Sequence, residues 1–192
     1  MEEQIKIIRD ILEKTRRNVA DNGKYFIMWG WLTLAASIGQ YGLIYFEMFE
    51  WIGIMWAVLM TSGAIVSGVI AKKSYTKSGV IGYADHTIGS LWMACGLSIF
   101  LLAFVGMPLG AISIQALNPI IMTIIWIGVF VTSRVIAWKP LQWSAFLWLA
   151  GAFICMMIHW HYHGLITAVI LIPGYLIPGY AMRKKFKSSV NV

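Results

Sequence analysis

The sequence predicts an all-α membrane protein: six transmembrane helices in a compact bundle, preceded by an amphipathic cytoplasmic helix. Three observations carry this expectation. Hydrophobic residues make up 59% of the chain and charged residues only 12%, with a mean hydropathy of +0.74, far from soluble usage. Six apolar stretches, each of roughly the 20 residues that a bilayer core requires, follow one another with short connections. All 15 Lys and Arg residues fall in the termini, in alternate connections or, for Arg134, at the adjoining end of a span, as short cytoplasmic segments require.

Residues 1–24 form the first element. Ile5, Ile8, Leu12, Thr15 and Val19 recur at three- and four-residue steps, and Glu2 with Lys6, Asp10 with Lys14 and Glu13 with Arg17 are favourable i,i+4 pairs. The pattern predicts an amphipathic helix over Glu2 to Ala20, stopped near Asp21-Asn22-Gly23. Such a helix lies on an anionic inner leaflet, or docks a cytosolic protein or a second copy of the chain. No cleavable signal peptide is expected, because the first residues are charged and lack a short apolar run before a small-residue cleavage site.

The transmembrane domain is expected over 25–182, with spans near 26–46, 51–71, 87–107, 119–137, 141–159 and 165–182. Phe26 to Phe46 is free of charge and as a helix is about 31 Å long. Only the fourth span carries a charge, Arg134 near its end. Pro119 and Pro140 suit first helical positions, where a missing N–H loses no partner, and Asn118 stands where it would cap the fourth span. Ala35 with Gly39, Gly63 with Ser67 and Ala64 with Gly68 are small residues four apart, a spacing that lets helices approach closely. Gln40, Thr61, Ser62, Ser98, Thr123 and Ser133 suit interhelical hydrogen bonds. Trp92, Trp126 and Trp148 fall deep in their spans, where each indole N–H needs an acceptor. Cys95 and Cys155 lie in apolar runs and read as small hydrophobes.

Orientation follows from charge. The segment before the first span, the connection holding Lys72, Lys73 and Lys77, the turn at Arg134 and Lys139, and the basic tail 183–192 should all be cytoplasmic. The connections around Glu47 and Glu50, from Pro108 to Asn118, and around His161 contain no Lys or Arg and should face outward. Topology therefore accounts for the net charge of +7 without a nucleic-acid partner. Membrane lipids are the expected surroundings.

Three features carry candidate chemistry. His159, His161 and His163 stand at the outer face, where an extended chain or a helix would offer imidazole nitrogens to Zn or Cu; turn residues at the interface are the plainer account. Asp85 and Arg134 lie near the inner ends of the third and fourth spans and would form an ion pair, unless Arg134 snorkels to the headgroups. Pro173-Gly174-Tyr175 and Pro178-Gly179-Tyr180 repeat within the last span, where each proline withdraws an N–H, so the helix is expected to kink or break. No cofactor is expected, and no HExxH, GxSxG or phosphate-cradling glycine loop is present.

From Asn118 to Lys187 the chain resembles small polytopic inner-membrane proteins of Bacteroidetes-type bacteria. Asn118-Pro119, Lys139-Pro140-Leu141 and the ending Ile177-Pro178-Gly179-Tyr180 with Arg183-Lys184-Lys185 carry the resemblance. It implies a bacterial inner-membrane setting, and no functional residue transfers with it; the charge distribution places the N- and C-terminus in the cytoplasm. The expected function is a non-enzymatic regulatory or scaffolding membrane component. The alternatives are a small transporter or channel for an ion or small solute, and an outer-face metal-binding protein.

Overall fold

The computed structural model describes residues 23–78 and 83–188; the amphipathic helix expected over 2–20 lies outside them. Among the described residues the chain is helical without a strand. We number the helices α1 (Gly23–Tyr45), α2 (Glu50–Ser78), α3 (Tyr83–Leu101), α4 (Ile114–Ile136), α5 (Lys139–Met157), α6 (His163–Leu171) and α7 (Ile177–Ser188). A π-helical turn, Leu102–Gly106, extends α3; another, Ile172–Leu176, joins α6 to α7 as one rod; and a 3-10 turn, Trp160–Tyr162, precedes α6.

Among the described residues, five stretches are long and apolar enough to cross a membrane: Glu50–Lys73, Ala84–Gly106, Ile114–Ile136, Lys139–Met157 and Trp160–Lys184. Helix α1 has the length, 23 residues, but Thr33, Ser37, Gln40 and several glycines dilute its apolar character. Its packing explains that composition. It lies against α2, α6, the second π turn and α7, so protein rather than solvent or lipid meets much of its surface.

The tightest pairing is α4 with α5. Ala137 and Trp138 alone connect them, and so short a link forces antiparallel neighbours. The turn closes through a left-handed Ala137 (φ 54°, ψ 43°), whose N–H, with that of Trp138, caps the last carbonyls of α4. Met122, Val129, Leu141, Ala145, Trp148 and Cys155 from this hairpin form the core with Leu171 and Tyr175 of the last rod and Phe26 of α1. Helix α2 leans on α1, and α3 on α4. Both are nearly bare, with 6% of the apolar stretch of α2 and 11% of that of α3 buried. Their exposed residues include Ile54, Val58, Ile65, Val69, Met93, Leu97 and Phe100, the reverse of a water-facing surface.

Small residues act where helices cross. A Cβ on Gly63 would stand 2.6 Å from Leu32 and 2.8 Å from Trp29, while Trp29 Nε1 donates to Ser67 Oγ at 3.0 Å. Gly68, the other half of the second pair on this helix, has no neighbour within 4 Å.

One local expectation needs correction. Helix α4 begins at Ile114, capped by Ser113, which accepts from Ala116 N at 3.2 Å; Pro119 sits inside the helix and Asn118 does not cap it. The last span, expected to kink or break at its prolines, is distorted at the first of them: the π turn Ile172–Leu176, which holds Pro173, shifts the bonding register, with Ile177 N–H donating to Ile172 O, and the helical path runs on through Pro178 and Gly179.

Candidate functional site

Helix α5 ends at Met157, and its last carbonyls have no donors within their own helix. In a hydrocarbon setting such groups need partners from elsewhere. Two side chains supply them. Gln115, in the first turn of α4, donates through Nε2 to Ile158 O at 2.7 Å and Cys155 O at 3.3 Å. The Nε2 of His163 lies 2.8 Å from Cys155 O and 3.0 Å from Ile158 O. Carbonyl oxygens only accept, so Nε2 carries the hydrogen and donates.

The network continues inward. Asn118 Nδ2 donates to Thr167 Oγ1 at 3.1 Å and approaches Cys155 Sγ at 3.6 Å, while Thr167 Oγ1 donates to His163 O at 2.8 Å. His163, Thr167 and Cys155 are all buried, with His163 only 2% exposed. The neighbouring Gly164 presses against α1: a Cβ there would lie 2.8 Å from Ser37 O. Ser37 Oγ, buried at this crossing, has no hydrogen-bond partner.

The three histidines therefore part company. His159 is extended (φ −61°, ψ 141°) and exposed, and the 3-10 turn that follows carries His161 to the side of Phe49, whose ring it stacks at 6.4 Å. His163 points into the bundle and is held by two carbonyls. His159 and His161 meet edge to face at 4.5 Å, and among the described residues no three His, Cys, Asp or Glu side chains gather to hold a metal ion. Neither the extended chain nor the single helix considered from the sequence runs through all three histidines: His159 is extended, His161 lies in the 3-10 turn and His163 begins α6.

Deeper in the bundle, Tyr175 of the π turn is ringed by aromatic side chains. Its centroid lies 5.0 Å from Trp148, 5.1 Å from Phe26 and 6.3 Å from Trp92. Trp92 Nε1 donates to Thr132 Oγ1 at 3.1 Å. The indole N–H groups of Trp126 and Trp148 find no acceptor, contrary to expectation. That of Trp148 abuts Gly174, where a Cβ would stand 2.7 Å away. Asp85 lies half-buried in the first turn of α3 and Arg134 exposed in the last turn of α4.

Sequence reading missed Gln115 and Thr167, and gave Asn118 a capping role. An amide side chain in an apolar segment is the signal that finds such residues, because it must be paired there. Comparison with protein-family models, curated proteins and solved structures finds no match.

Proposed function

We propose that this chain is a non-enzymatic, regulatory or scaffolding component of a bacterial inner membrane, with α1 as a sixth span and both termini in the cytoplasm. The observation that carries this reading is how the interior polar groups are used. Gln115 and His163 cap α5, Asn118 ties α4 to Thr167 of α6, Trp56 Nε1 donates to Gln40 Oε1 at 2.8 Å between α2 and α1, and Trp92 joins α3 to α4. Each ties one helix end or helix to another, which is what a static bundle needs.

Helix α1 supports a sixth span by its length, about 34 Å, and by running antiparallel to its neighbours: Gly23 abuts Gly179 and Arg183, while Gly164 abuts Ser37. The one-sided distribution of Lys and Arg supports the orientation, and the resemblance to small polytopic proteins of Bacteroidetes-type bacteria supports the setting. The patterned segment over 2–20 is the element that would meet a partner. Crosslinking in native membranes tests this: removal of residues 2–20 should abolish recovery of one copurifying protein. Recovery of every such protein unchanged, with the bundle still helical, contradicts it.

A second reading, a small transporter or channel, draws support from the π turn beside the unpartnered indole of Trp148, since such turns concentrate at functional sites. Flux of ions, protons or small solutes into liposomes holding the purified protein would establish it; tight liposomes would retire it.

A further inference from the structure

Along the outside of the bundle, at its basic end, the first half of α5 and the rod formed by the second π turn and α7 leave a furrow of about 420 Å³. Its origin is local. Three of the chain's five prolines, Pro140, Pro173 and Pro178, line it with short rigid rings. Between them stand Ala181 and Ser144, whose hydroxyl turns back to Leu141 O at 2.8 Å and so offers no polar group. The two helices touch, yet the space between them stays open, while Trp143, 72% exposed, and Ile177, 60% exposed, stand out as its rims. Unfilled apolar surface forfeits dispersion contacts, and a hydrocarbon chain laid along the furrow restores them.

One end of the furrow is different. Lys139 immediately precedes Pro140, and Lys184 lies one turn beyond Ala181 on the same face of α7; both are exposed. Neither α5 nor α7 contains an Asp or Glu to neutralise them. Trp138 lines this end, a side chain suited to the headgroup level. An apolar trough with two exposed lysines next to its lining and an indole within that lining suits one acyl chain bearing an anionic head.

We propose that the furrow is a binding site for an anionic phospholipid, one acyl chain lying along Pro173, Ile177 and Ala181 and the phosphate meeting Lys139 and Lys184. The inference rests on α5 and the last rod crossing a bilayer, and is independent of which end faces the cytoplasm. Basic pockets between transmembrane helices recognise lipid headgroups by this chemistry, at about fivefold per lysine near the surface.

Native mass spectrometry of the full chain in mild detergent tests it, with phosphatidylglycerol and phosphatidylethanolamine of matched acyl chains as probes. The wild type should retain phosphatidylglycerol preferentially. Ala181→Trp, which fills the trough from an exposed position, should lose most of the bound lipid. Lys139→Gln and Lys184→Gln should each cut the preference about fivefold while lipid is still retained. Equal retention of the two lipids by the wild type, or undiminished binding by Ala181→Trp, overturns the proposal, as does a second copy of the chain retained in place of lipid. Retention of neither lipid overturns the proposal alone, whereas the spanning reading fails only if cysteine labelling finds the two ends of the bundle on one side, so the two failures are distinguishable.

Discussion

The imidazole of His163 and the carbonyl of Cys155 meet at 2.8 Å inside the bundle, so that the first residue of one helix closes the open end of the preceding one. This pairing turns the most suggestive residue of the histidine segment into part of the scaffold. His163→Ala removes the donor and leaves buried carbonyls to Gln115 alone, at an expected cost of about 1–3 kcal/mol. Thermal unfolding in detergent, followed by circular dichroism, should show the loss, with His163→Gln losing less because its amide also donates. Gln115→Ala and His163→Ala should be non-additive, because the two side chains share the same acceptors. An unchanged melt for His163→Ala contradicts the capping role.

The same geometry bears on metal. Protein purified without an affinity tag should carry zinc and copper well below one equivalent by elemental analysis. One equivalent that disappears in His163→Ala would show that the imidazole leaves its carbonyls to bind an ion.

Gly174 makes room for Trp148. Gly174→Ala places a methyl group against a fully buried indole, which should destabilise the bundle by about 1–3 kcal/mol. Trp148→Phe in the same chain should recover part of that loss, since the smaller ring withdraws from the contact and removes an indole N–H that lacks an acceptor. A double-mutant cycle measures the coupling, and strictly additive losses would show that the two residues do not confront each other.

How much of this was legible in the sequence depends on what each feature needs from the rest of the chain. Apolar stretches such as Glu50–Lys73 declare themselves, because the requirement for about 20 residues without charge is local and one-dimensional. The start of α4 was hidden because Pro119 looks like a first helical residue, whereas Ser113 caps the helix and the partner of Asn118 lies far along the chain at Thr167. The π turn was equally hidden: two prolines announce missing donors, but how the backbone accommodates them is decided by the packing of Tyr175 and Gly174 against Trp148. Helix α1 shows the converse, since a helix that packs against several others needs less apolar surface than one facing lipid.

Gly63 and Gly68 lie on one helix yet face different surroundings. Gly63→Leu should lower the melting temperature by several degrees through collision with Trp29 and Leu32, and Gly68→Leu should leave it nearly unchanged. Equal effects would mean that α2 does not pack on α1 through the Gly63 face.

Ala137 holds a left-handed backbone that costs an L-residue roughly 1–2 kcal/mol, against roughly 0.5–1 kcal/mol of extra chain entropy for glycine. Ala137→Gly should therefore hold or raise the melting temperature, and Ala137→Val should lower it clearly. A destabilised glycine variant would contradict the turn geometry between α4 and α5.

The proposed placement of the Glu47 turn and the end of α7 on opposite sides of one membrane is tested most directly by labelling intact bacteria with a membrane-impermeant maleimide. Single variants Glu47→Cys, in the turn between α1 and α2, and Lys184→Cys, near the end of α7, provide the probes, while the native thiols of Cys95 and Cys155 are buried. The account predicts that residue 47 labels from outside and residue 184 only after permeabilisation. Labelling of both from the same side would contradict it.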